Sequence, residues 1–276
     1  MKRTSVLGTL LPLCLVSAAS AETASSLSPS NLWESYVAGN WSLTLGGYLE
    51  SAPTYQGASG NAFFVVPMFS LGKAGPGPKF ISRNDSPSIG LYDNGWLRAG
   101  VVGSLIYPRN DSSSNDLRGL PNVSWGAQAG GFAEIYPTDW LRVRGELRQG
   151  FVSYYGLVGD IAADAFYDFA PSWRISAGPR LELATANYFK AYYGVDAWHS
   201  LTSGLSPYWP GGGVNYVGAG GALTWKTTDK VTTSLFAEYQ RLAGPAADSS
   251  LVRERGSENQ LTVGVSAAYR FDFSVR

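Results

Sequence analysis

One cysteine, one histidine and two methionines are all that 276 residues contain of those three types. A lone Cys14 allows no disulfide framework and no thiolate metal site. Any histidine-dependent hydrolysis falls to His199; Asp196 and Ser200 lie close by, but they make a relay only if a distant group is brought in. Basic and acidic residues balance at 21 each, so the broad cationic surface that nucleic acids require is missing. Beyond residue 21 no run approaches the roughly 18 apolar residues of a membrane helix.

What is present points to export. Lys2-Arg3, an apolar run from Val6 to Val16 and Ala19-Ser20-Ala21 read as a signal peptide over 1–21, cleaved after Ala21. Cys14 leaves with it, and Leu13 before it does not suit a lipoprotein cleavage site. Residues 22–39 read as a short polar leader, and 40–276 as one further domain. That domain holds 8 of the 9 Trp, 15 of the 16 Tyr, all 12 Phe and most of the 33 glycines, the composition of an outer-membrane barrel. A secreted sandwich shares part of it, so the strands must decide.

A membrane strand sends alternate side chains into lipid and lumen. From 41 to 50, Trp41, Leu43, Leu45, Gly47 and Leu49 oppose Ser42, Thr44, Gly46, Tyr48 and Glu50. The same alternation runs through 140–148, 173–183 and 261–271, and further through 61–71, 95–107, 121–136, 159–170, 211–226 and 229–242. Short turns at Thr138-Asp139, Ala170–Ser172 and Thr227–Asp229 alternate with long polar connections, as periplasmic turns and outer loops do. Asn94-Gly95 marks a hairpin, which makes Ser88–Tyr92 a strand; Lys79–Arg83 is the candidate for its upward neighbour. The expectation is an all-β, antiparallel transmembrane β-barrel of ten to twelve strands, even in number, around a closed narrow lumen. Trp41, Trp96, Trp140, Trp173 and Trp225 then form a periplasmic-side girdle.

Several motifs resemble the MltA-interacting protein / OmpV family: Pro53-x-Tyr55-x-Gly57, Ala191-Tyr192-Tyr193-Gly194-Val195, the stretch Leu242–Val252, Gly256-Ser257-x-Asn259-Gln260 and the closing Tyr269-Arg270-Phe271. The chain departs from that pattern at Ser250, where proline is expected, and in running past Phe271. The resemblance implies residence in the outer membrane of a Gram-negative bacterium, among lipid and lipopolysaccharide. It also implies a scaffold that brings a murein transglycosylase and a murein synthase together; a small porin-like channel and a surface adhesin are the alternatives it leaves.

One face carries a ladder of charge: Arg142, Arg144, Glu146, Arg148, Asp160, Asp164, Asp168, Arg174, Arg180 and Glu182 are all even-numbered. Each Arg turned to lipid near the midplane costs about 2–4 kcal/mol, so this face belongs to the lumen. Pairing 140–170 to a residue sum of 312 sets Arg148 opposite Asp164 and Arg144 opposite Asp168; a sum of 342 sets Asp168 beside Arg174. The ladder reads either as a salt-bridged filling or as an ion-selective lining. In the loop 185–210, Tyr188, Tyr192, Tyr193, Trp198, Tyr208 and Trp209 suit contact with a partner, or a plug folded over the lumen. Asp111, Asn115 and Asp116 lack a calcium-ligand pattern, and nothing in the sequence asks for a metal, a cofactor or catalysis.

Overall fold

The computed structural model describes residues 38–73 and 79–276; the expected signal peptide and nearly all of the expected leader lie outside that range. Eleven strands form the wall: β1 (Gly39–Pro53), β2 (Asn61–Lys73), β3 (Ser88–Asp93), β4 (Leu97–Ile106), β5 (Gly126–Thr138), β6 (Leu141–Phe151), β7 (Leu157–Ala170), β8 (Trp173–Ala184), β9 (Gly213–Lys226), β10 (Val231–Leu242) and β11 (Asn259–Val275). They close into a barrel through antiparallel pairing of β1 with β11. No described helix is long and apolar enough to cross a membrane. Leu147, Ile161, Ile175, Leu235 and Val265 are exposed on the outer face, while Arg142, Arg144 and Glu146 are buried within. The two-residue period of the sequence thus becomes an apolar exterior and a charged interior.

The count is odd, and one seam explains it. Lys79–Arg83 does not form a strand; from Lys79 to Pro87 the chain runs up inside the lumen, so that β3 descends beside β2 in parallel, pairing Ser70–Gly72 with Ser88–Gly90. A parallel neighbour needs a crossover instead of a hairpin, and here part of that crossover, Lys79–Pro87, serves as an internal strap. The Asn94-Gly95 hairpin then turns β3 into β4, with Gly95 at φ 84°.

Two expected details shift. The β6–β7 hairpin pairs Arg142 with Asp164 and Glu146 with Asp160, so Arg148 faces Val158 and Arg144 faces Ala162. Its turn centres near Ser153, with Val152 held at φ 72°, which moves the register by three residues per strand from the one expected. Asp168 does lie opposite Arg174. Residues 121–125 precede β5 as loop, held by the Arg109–Val123 bridge and by a 2.6 Å bond from the Ser153 hydroxyl to the Ser124 carbonyl. Trp96, Trp140, Trp173 and Trp225 are partly or largely exposed at the short-turn end, with Trp173 and Trp225 stacked at 5.8 Å; Trp41 is buried instead.

At the other end the loops fold together. Helices α1 (Ala186–Tyr193), α2 (Ala197–Ser203), α3 (Gly244–Ala247) and α4 (Ser250–Arg255) form a cap. One apolar cluster joins Tyr188, Phe189 and Tyr193 to Tyr154, Tyr216, Leu242 and Val252, and a second joins Tyr55, Leu117, Val195, Leu205 and Leu251.

Face assignment yields a direct test. Leu235 lies mid-strand on the outer face at 59% exposure, so Leu235→Arg should lower stability by about 2–4 kcal/mol in denaturant titrations of the vesicle-inserted barrel. Ser234→Arg, which places the same charge in a lumen cavity, should be tolerated; equal losses from both would contradict the assignment.

Candidate functional site

An eleven-stranded wall encloses more space than the eight-stranded barrels that side chains alone fill. The strap occupies the surplus, and the charge ladder ties it in place. Arg142, fully buried, grips Asp85 of the strap through two parallel bonds, Nη1 to Oδ2 at 2.7 Å and Nη2 to Oδ1 at 2.9 Å. The same Nη2 donates to Asp164 at 2.8 Å, and Arg180 Nη2 donates to the other oxygen of Asp164 at 2.5 Å. Such forked charge-assisted bonds fix orientation as well as distance.

From that knot the network spreads along β5 and β6. Arg144 donates to Glu134 and to Glu146, each at 2.8 Å, and its guanidinium lies 4.0 Å from the centre of the Phe132 ring. Arg148 donates to Glu146 at 2.7 Å, to Asp160 at 2.5 Å and to the Ser86 hydroxyl of the strap. Further strap contacts run from the Ser86 amide to Glu146 at 3.2 Å and from Asn84 to Glu238 at 2.9 Å. Arg83 sits 3.4 Å from Glu50 and 3.8 Å from Glu238. Phe80 stacks on Phe166 at 5.2 Å beneath Arg142.

Of the ladder read from the sequence, Arg142, Arg144, Glu146, Arg148, Asp164 and Arg180 are buried in this network. Glu182 takes a 2.5 Å bond from Asn215. Asp168 and Arg174 pair at 2.7 Å near the short-turn end, where Arg174 also reaches the Lys79 carbonyl. Glu50, Arg98, Glu134 and Glu238 belong to the same interior and were not singled out from the sequence, although their even numbering carried the signal. Asp85, Arg83 and Ser86 gave none, because the strap has no period.

The strap divides the interior. On the short-turn side lies a cavity of about 770 Å³, bordered by Lys79, Arg174, Lys226, Lys230 and Arg270. A second, of about 410 Å³, lies toward the cap against Arg144, Arg148 and Glu182.

The cap is where the family motifs meet. Gln260 accepts from the Gly57 amide at 3.0 Å and donates to the Ala58 carbonyl at 3.1 Å, while the Ser257 amide donates to the Gly57 carbonyl at 2.9 Å. Gly57 has φ 102°, and a Cβ there would stand 2.6 Å from Val252 Cγ2, so only glycine fits. Tyr188 and Tyr193 donate to Gln56 at 2.8 and 3.1 Å. Burial pushes both phenols above their ordinary range, which keeps them protonated donors. These two tyrosines therefore close the cap and are not open to a partner. Tyr192 and Tyr208 are half-buried, Tyr208 donating to the Pro245 carbonyl; Trp198 and Trp209 are the exposed members of the set. His199 lies on α2 with its Nδ1 2.8 Å from Asp196. Asp196 caps that helix by accepting the His199 amide, which holds its carboxyl below the usual value. Among the described residues no group of three or more His, Cys, Asp or Glu could hold a metal ion.

The family model for the MltA-interacting protein MipA matches residues 45–271. No curated protein matches the chain. Neisserial surface protein A shares 10% identity, with 84% of this chain and 99% of that one covered and a TM-score of 0.29. The CymD monoaromatic hydrocarbon channel shares 10% identity over 86% and 90% of the two chains, with a TM-score of 0.32. OprG from Pseudomonas aeruginosa shares 10% over 85% and 97%, with a TM-score of 0.25. Scores at this level carry no functional inference.

The knot at Arg142 predicts a specific energetic pattern. Arg142→Met strands Asp85, Asp164 and Glu134 without their shared cation and should cost about 3–5 kcal/mol in reversible unfolding from vesicles. Adding Asp85→Asn to that variant should recover part of the loss, a positive coupling in a double-mutant cycle; strict additivity would mean that the two groups do not act together.

Proposed function

Given that the chain belongs to the MltA-interacting protein family, we propose that this outer-membrane barrel is a scaffold for cell-wall enzymes, a murein transglycosylase and a murein synthase, and not a conduit. The observation that carries the reading is the strap. Ion pairs bind its Asp85 to Arg142 and Arg144 of β6, and its Arg83 lies beside Glu50 of β1 and Glu238 of β10. This arrangement favours the filling reading of the ladder over an ion-selective lining. With the interior obstructed and the outer loops packed into a cap, function passes to surfaces.

Enzymes that act on murein work below the membrane, so the short-turn rim is the face they can reach. That rim presents Asp139, with a side chain 97% exposed and paired to Lys79 at 2.9 Å, together with Thr227–Lys230 and the end of β11. The cap presents Trp198 and Trp209 to the outside, the surface that an adhesin would use.

Crosslinking in cells, followed by capture of the barrel, separates the readings. Deleting 23–38 together with Asp139→Lys and Asp229→Lys should weaken capture of both murein enzymes. Trp198→Ser with Trp209→Ser should leave capture intact. The purified protein should also give no steady conductance in a planar bilayer. Capture lost only in the tryptophan variant, or a porin-like conductance, would overturn the scaffold.

A further inference from the structure

The lumen is lined by two different rules. Along the ladder a cation on one strand faces an acid on the next: Arg98 opposite Glu134, Glu134 opposite Arg144, Arg142 opposite Asp164 and Asp168 opposite Arg174. Like charges set directly opposite each other in a sheet are destabilising. At the short-turn end of β9 to β11 that rule breaks. Lys230 lies opposite Arg270, whose amide donates to its carbonyl at 2.9 Å, and Lys226 stands nearby opposite Thr232. All three cations border the cavity of about 770 Å³.

Acids do not balance this row. The ion pairs at this end join Lys79 to Asp139, Arg174 to Asp168 and Arg270 to Asp272; among the described residues none includes Lys226 or Lys230. Both oxygens of Asp168 are taken by Arg174, at 2.7 and 2.8 Å. Of the acids that border the cavity, Asp93 lies 3.9 Å from Arg98 and Glu238 accepts from Asn84 at 2.9 Å, which leaves Asp229 in the turn.

The wall beside the row supplies room and hydroxyls. Where the ladder has long arginines and glutamates, the inward positions here are short: Thr44, Ser70, Thr232 and Ser266. Ser42 and Ser176 line the same cavity at 8% and 5% exposure, and among the described residues neither hydroxyl bonds to a protein group. A hydroxyl both donates and accepts, so these positions suit a partner that does the same. The aromatic rings of the lining are already covered. Phe80 is stacked on Phe166 with Arg142 on it, and Tyr48 and Phe236 lie 5.7 and 5.3 Å from the Arg83 guanidinium.

This lining selects by exclusion. An acyl chain or an aromatic ring finds no face to pack on, and a bare anion uses the cations while leaving the hydroxyls unserved. A polar ligand rich in hydroxyls and carrying one acid group uses both. We propose that the chamber binds a carboxylate-bearing saccharide, its acid on Lys226, Lys230 and Arg270 and its hydroxyls along the serine and threonine rows. The short turns face the periplasm, where murein glycan offers that chemistry; this last identification rests on the scaffold reading. The barrel then holds the polymer beside the rim that holds its enzymes.

The test uses the purified full-length barrel in detergent micelles and titration calorimetry with three probes. They are N-acetylglucosaminyl-N-acetylmuramic acid, N,N′-diacetylchitobiose, which is the same disaccharide without the lactyl carboxylate, and sodium lactate. The acidic disaccharide should bind, and the other two should bind at least about tenfold more weakly, the loss that accompanies removal of a charge-assisted hydrogen bond. Lys226→Ser with Lys230→Ser should reduce the acidic disaccharide to the chitobiose level. Ser266→Trp, which fills the chamber and keeps the cations, should weaken it as well. Heat-modifiable migration on gels checks that each variant is folded. The proposal is overturned by absence of binding, by equal affinity for chitobiose or for lactate, or by binding that survives the lysine pair or Ser266→Trp. Sugar binding needs no enzyme, so its failure alongside intact capture of murein enzymes in cells would sink the chamber and leave the scaffold standing.

Discussion

The interior depends on the pairing of Arg142 with Asp85. It is the one forked bond, made by a fully buried guanidinium, that ties the strap to the wall among the described residues, and without the strap an eleven-stranded wall would surround water. Each charge here is held by others of opposite sign: Arg142 between Asp85, Asp164 and Glu134, and Arg144 between Glu134 and Glu146. Removing ions from water is expensive, and mutual attraction returns that cost only where geometry is good. The network is therefore better understood as specifying one position of the strap than as a large source of stability. Its energy is spent on uniqueness.

The two ends of the barrel are built by different physics. The cap is an apolar assembly, with Phe189, Leu251 and Ala246 fully buried and a few hydrogen bonds, those of Gln56 and Gln260, setting its orientation. The lumen is ionic and has almost no aliphatic packing. The family motifs fall mainly in the cap, so the residues that make the chain recognisable are those that hold the outer loops shut.

How much could be read beforehand follows from which features have a period. Strands do: alternation placed most of the wall within a few residues, and the even numbers from Arg142 to Glu182 shared a face before any register was known. Registers depend on turns, and the turn at Val152–Gly156 hides its geometry because a valine, not a glycine or asparagine, takes the positive φ. The strap has neither period nor turn signature; Lys79–Arg83 resembles a short strand because alternation over five residues occurs readily in any chain. The aromatic loop was legible as aromatic. Whether Tyr188 and Tyr193 faced outward or inward depended on Gln56 and Asn215, residues distant in sequence, and no local pattern announces such partners.

The strap is stitched into the wall that surrounds it. An ordinary plug is a separate module that can be withdrawn while the barrel around it stays intact. Here the upper end of the filling is the first residue of a stave: Pro87 passes directly into β3, which is held by only three residue pairs on its β2 side. Drawing the strap out of the lumen would peel β3 from its neighbours, so unblocking the interior and breaching the wall are a single event. A barrel connected in this way has no open state that leaves its staves undisturbed.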